Sequence, residues 1–142
     1  MKHKTTLIVR GGGDLASGVI HRLYKCGYQV LVLECAKPSA IRRRVSFGEA
    51  VYDGTSRVEG VTGRLIKDIS ECRKVWDEKE IPILVDENAD TVSELKPDAL
   101  IDAILAKKNL GTTRMMAPLT IGLGPGFTAR VDVDYVVETQ RG

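Results

Sequence analysis

Gly11, Gly12 and Gly13 stand together near the start of the chain, followed at once by Asp14 and then by Ala16. Gly11, Gly13 and Ala16 fit the spacing G-x-G-x-x-A. In that pattern one small residue makes a tight turn, a second lets backbone approach a pyrophosphate, and a third lets a helix pack closely on a strand. The N–H groups of such a turn, at a helix start, can hold an anion. Glu34 lies about 20 residues further on, where a dinucleotide fold places a carboxylate to accept hydrogen bonds from ribose hydroxyls. Its alternative is a solvated strand end. Asp14 argues for other chemistry, because a carboxylate at a helix start caps the free N–H groups and repels an incoming phosphate. The loop then grips a nucleotide in a non-standard way, serves a different ligand, or is simply capped.

A second group of donors comes late in the chain. Lys107, Asn109, Thr112 and Arg114 precede Gly122, Gly124 and Gly126, which flank Pro125. Bare, bent backbone at such glycines lets N–H groups converge on an anion or a flat ligand lie close. With Lys107 as a point charge in the same crevice as the glycines, this cluster suits a phosphate or pterin-phosphate ligand. A structural turn with solvated cations is the plain alternative. Lys37, Arg42, Arg43 and Arg44 form a cationic run without an acid, either a solvated face or a place to meet a phosphate-bearing ligand.

These residues need a frame, and the apolar pattern supplies one. Thr5 to Val9 and Gln29 to Glu34 are runs of the kind a buried parallel strand needs. Between them Leu15, Val19 and Leu23 recur every four residues, with Ala16 and Ile20 beside them and Gly27 as a stop, which predicts a helix. A short helix is expected through Arg42 to Arg44 and a turn at Asp53-Gly54, then one short strand within Val58 to Ile66. Asp68 to Lys79 carries a helical stripe with Trp76 as a packing residue. Ile81 to Asp86 reads as a strand, Thr91 to Leu95 as a short helix, and Ala99 to Leu105 as a further strand. Strand and helix in this alternation predict an α/β fold, Rossmann-like and doubly wound, with a mostly parallel sheet, helices on both faces and ligands beyond the carboxyl ends of the strands.

The chain has 142 residues, 43% of them hydrophobic, with a net charge of +2. This matches a single domain with one core, and gives no general case for nucleic acid or membrane binding. No apolar stretch approaches the roughly 18 residues of a membrane span. Cys26, Cys35 and Cys72 form no C-x-x-C pair, which points to neither a disulfide framework nor a zinc site and fits a reducing, cytoplasmic setting. With His3 in a terminal tail and His21 inside the first helix, no histidine metal site or Ser-His-Asp site is expected.

Taken together, the stretches Val9 to Gly18, Glu49 to Gly54, Asp102 to Lys107, Asn109 with Gly111-Thr112, and Met116-Ala117-Pro118 through Phe127 carry a family resemblance. The chain resembles the YqeB family of the selenium-dependent molybdenum hydroxylase system, relatives of the XdhC/CoxI xanthine dehydrogenase accessory factors. The resemblance implies a Rossmann-like domain, the N-terminal part of a longer family pattern, acting in maturation or cofactor supply rather than in hydroxylation itself. Its expected ligand is an NAD-type nucleotide or molybdenum cofactor, and its expected partners are the apo-hydroxylase or cofactor-supply proteins. An NAD-dependent oxidoreductase, with Glu34 selecting NAD and Lys107 polarising a carbonyl, and a regulatory nucleotide sensor are the competing readings.

Overall fold

The structure is a computed structural model that describes residues 4–39 and 45–139. Arg42, Arg43 and Arg44, and the short helix expected there, lie outside the described residues, as does His3. Eight strands form one sheet: β1 (Thr6–Arg10), β2 (Gln29–Glu34), β3 (Thr55–Val58), β4 (Val61–Ile66), β5 (Ile81–Val85), β6 (Ala99–Asp102), β7 (Leu119–Leu123) and β8 (Tyr135–Val137). Their order is β3-β4-β5-β2-β1-β6-β7-β8. Every pairing is parallel except the β3/β4 hairpin. From β1 the chain moves outward through β2 to one side and through β6 and β7 to the other. A crevice therefore opens at the carboxyl ends of β1 and β6, the switch point where such sheets bind ligands.

The inner strands are apolar between their ends because both faces are covered. Val9, Val30, Val32, Ile81, Ile83 and Ile101 pack with Ala16 and Ile20 of helix α1 (Asp14–Lys25), with Phe47, and with Ala50 of α2 (Ala50–Asp53). The alternate residues Ile8, Leu31, Leu33, Leu84 and Leu100 pack with Cys72 and Val75 of α3 (Cys72–Asp77) and Val92 of α4 (Val92–Leu95). A period of two thus sorts one apolar run into two cores. This is a Rossmann-like α/β fold with helices on both faces.

Four local expectations are corrected. On α1 the buried face is Ala16, Ser17 and Ile20, while Leu15 is 48% exposed; small residues win where helix and strand ends crowd together. Gly13, not Asp14, is the N-cap of α1, so Asp14 is the first helical residue. Residues 55–66 make a hairpin instead of one strand, turning at Glu59 and Gly60, both with positive φ, as a two-residue hairpin turn demands. β6 ends at Asp102 rather than Leu105, because the Ile104 N–H turns back to Asp102 Oδ1 at 3.1 Å.

Candidate functional site

The site is built on the last residues of β1. Arg10 closes that strand with only 2% exposure, between Leu33 of β2 and Asp102 of β6. Its Nη1 donates to Thr112 Oγ1 at 2.8 Å, and its Nη2 donates to the carbonyls of Glu87 (2.6 Å) and Leu110 (3.2 Å). Thr112 in turn donates to Asp102 Oδ2 at 2.6 Å. A buried hydroxyl thus links a buried cation to a buried carboxylate, and the guanidinium ties the loops after β5 and β6 to the floor of the crevice. Unpaired, either charge would be costly in this position.

Gly11 then turns the chain at φ +102, with its N–H on the Leu33 carbonyl at 2.8 Å. An added Cβ would lie 2.8 Å from the Ala103 carbonyl oxygen, so only glycine lets the turn meet the end of β6. Gly12 is held from two sides. Its carbonyl accepts from Gly48 N–H (2.8 Å), Ser17 Oγ (3.1 Å) and Ser46 Oγ, and its own N–H donates to Glu34 Oε2 at 2.7 Å. Gly13 has open space where a Cβ would be. Ala16 is buried at 1% in the first core.

Glu34 therefore reaches inward to the glycine turn, and its Oε1 also accepts from Cys35 N–H at 2.8 Å. Each carboxylate oxygen retains a further acceptor position, and Glu34 borders two cavities. The larger, about 490 Å³, is lined by Arg10, Gly11, Leu33, Glu34, Cys35, Asp86, Glu87, Asn88, Ile104 and Leu110. The smaller, about 180 Å³, lies over Gly11 to Ala16 and adjoins Cys35 and Ala103 to Leu105. Both sit at the carboxyl ends of the strands. Burial pushes the Asp86 carboxyl up, but hydrogen bonds from Thr91 and the Asp90 N–H, together with the nearby Arg10 charge, outweigh it and hold the group below the ordinary carboxylate range. Burial first, then the Glu34 charge, pushes the Cys35 thiol up.

The late cluster is organised differently from the early one. Asn109 and Thr112 close a turn on each other, Asn109 Nδ2 to the Thr112 carbonyl and Thr112 N–H to Asn109 Oδ1, both at 2.8 Å. Arg114 pairs with Asp134 at 3.0 Å. Gly126 approaches the Lys108 backbone so closely that a Cβ would sit 2.8 Å from its Cα, while Gly124 lies against Leu105 and Gly122 against the Phe127 ring. The two glycine loops are thus joined through residues 103–109, with Gly11 against one side and Gly126 against the other. Lys107 is exposed and lines neither cavity. Arg10, Asp86 and Asp102 escaped the sequence reading; the signal was a charged residue directly after the apolar stretches Leu7 to Val9, Ile81 to Val85 and Ala99 to Ile101. Among the described residues, no group of three or more His, Cys, Asp and Glu is placed to hold a metal ion, and no helix is long and apolar enough to cross a membrane.

No family model matches the chain, and no solved structure matches it. The chain is 52% identical over 136 residues, 96% of its length, to the uncharacterized protein YqeB of Escherichia coli (strain K12). It spans about a quarter of that curated relative, 25% of its length.

Proposed function

We propose that this chain is the nucleotide-binding part of an accessory or maturation protein for a selenium-dependent molybdenum hydroxylase, taking a nucleotide or molybdenum-cofactor-type phosphate ligand at the crevice above β1 and β6. The observation that carries the binding role is the pair of adjoining cavities at the switch point, bordered by the glycine turn, the start of α1 and Glu34. In a Rossmann-like sheet that position takes the ribose and pyrophosphate of a nucleotide. The similarity to YqeB of E. coli supports the family resemblance, and the accessory role rests on that resemblance. The free cysteines Cys26, Cys35 and Cys72 suit a reducing, cytoplasmic setting.

The test is a melting-temperature screen against mononucleotides, dinucleotides and pterins, since a ligand bound only by the folded state raises the midpoint. A rise with a nucleotide or with molybdenum cofactor, followed by co-purification with an apo-hydroxylase, is the expected result. Turnover of reduced nicotinamide would instead identify an oxidoreductase. A flat screen would end the binding assignment.

A further inference from the structure

Arg10 is more than a tether. Nη1 and Nη2 are engaged by Thr112, Glu87 and Leu110, whereas Nε makes no hydrogen bond among the described residues. No fully buried side-chain nitrogen or oxygen among the described residues lacks a partner, so Nε keeps some accessible surface, and Arg10 borders the 490 Å³ cleft. A guanidinium that is 98% buried yet keeps a free donor toward a cavity awaits an acceptor oxygen or nitrogen from a ligand. The acceptor belongs to a ligand without a concentrated negative charge there. Among the described residues, three carboxylates, Glu34, Asp86 and Glu87, share the cleft lining with Arg10, and a phosphate or carboxylate would meet net repulsion from them there. Those carboxylates call for N–H or O–H donors on the same ligand, and the apolar Leu33, Ile104 and Leu110 suit the faces of a flat ring.

We infer that the cleft is a base-reading pocket in which Arg10 selects a heterocycle bearing a carbonyl oxygen beside ring N–H and amino groups, the guanine type, over adenine. Guanine sets O6, an acceptor for the single Nε–H, beside an N1–H and a 2-amino group that donate to a carboxylate. In the same pose adenine sets its 6-amino group against Nε–H, and when turned to offer N7 instead it brings one donor group to the carboxylates where guanine brings two. A site whose buried polar group is left unpaired rejects the wrong partner strongly. This rests on the nucleotide reading above and specifies its base.

Isothermal titration of the wild-type chain with guanosine 5′-monophosphate and adenosine 5′-monophosphate tests it, alongside the ¹⁵N–¹H signal of Arg10 Nε. The guanine nucleotide is expected to bind roughly tenfold tighter or more and to shift the Nε–H signal saturably. Arg10→Lys, where it folds, should lose the preference; the wild-type signal carries the test if it does not fold. Equal or tighter adenine binding, or guanine binding that leaves Arg10 Nε–H unmoved, overturns the inference. Failure of both mononucleotides while another ligand raises the melting temperature overturns it too, and leaves the binding role standing. Failure of every ligand in the screen overturns both.

Discussion

Gly11 and Gly13 play similar parts in the G-x-G-x-x-A spacing and have opposite surroundings. At Gly11 a side chain would combine a positive φ of +102 with a contact of 2.8 Å to the Ala103 carbonyl, so Gly11→Ala should lower stability by about 1–3 kcal/mol, measured by urea denaturation. At Gly13 a Cβ meets nothing within 4 Å. Gly13→Val should cost only about 0.5–1 kcal/mol, as a poorer N-cap, while its side chain narrows the smaller cavity and weakens ligand binding. A Gly13→Val chain that fails to fold would show that the position is structural. Glu34, fixed by Gly12 and Cys35 but with acceptor positions left, should favour ligands with free ribose hydroxyls over 2′-phosphates, which it would oppose with like charge. Tighter binding of NADP than of NAD would contradict that role. Among the cysteines, Cys26 is exposed, whereas burial pushes the Cys72 thiol up to about 12. At about pH 8 roughly one Cys72 thiol in ten thousand is then ionised. Mass spectrometry should find iodoacetamide on Cys26 first and on Cys72 only as the chain unfolds.

Between residue and sheet, two connecting segments hold the site in shape. The turn through Ser46, Phe47 and Gly48 is docked on the glycine turn: Ser17 Oγ donates to the Gly12 carbonyl and accepts the Phe47 N–H at 2.8 Å, and Phe47 itself is fully buried. Ser17→Ala leaves that buried N–H without its partner and should cost about 1–3 kcal/mol, with faster hydrogen exchange at the Phe47 amide as the local readout. An unchanged Phe47 exchange rate would mean that the segment is held by other contacts. The second segment joins β5 to α4, where Asp86 accepts from the Asp90 N–H and from both the N–H and hydroxyl of Thr91. Its folded carboxyl lies below the ordinary range, so the unfolded chain takes up the proton first as pH falls. The stabilisation is complete above the unfolded value of about pH 4 and is lost as pH drops through the lower folded value. Asp86→Asn should therefore be less stable than wild type at neutral pH, and the gap in urea midpoint should close below about pH 4. A gap that persisted at low pH would assign the loss to packing instead of charge.

Across the whole molecule, the two cores lie on opposite faces of the same strands, and neighbouring residues such as Ile8 and Val9 belong to different cores. Neither core can be lost without the other, so unfolding should be a single transition. Trp76, the only tryptophan, donates from Nε1 to the Val30 carbonyl at 3.0 Å and packs against the second core. Its fluorescence and the far-ultraviolet circular dichroism should share one urea midpoint, and separated midpoints would show the faces coming apart independently. By itself, the amino-acid sequence was enough for the frame: continuous apolar runs such as Gln29 to Leu33 require burial on both faces, and alternating runs and helices imply a parallel sheet whose carboxyl ends carry the ligand loops. These signals are local, and the strand and helix periods express them directly. It was also enough for the glycine turn and the packing role of Ala16. Only the tertiary structure decided which groups meet. Asp86, Asp102 and Arg10 come from three separate apolar runs, and only the strand order β5-β2-β1-β6 brings them together. Glu34 turns toward Gly12, and Thr112 joins Arg10 to Asp102. Such partnerships span 10 to 102 residues of chain, and no local pattern records them, because their energy comes from satisfying buried charges wherever the fold leaves them.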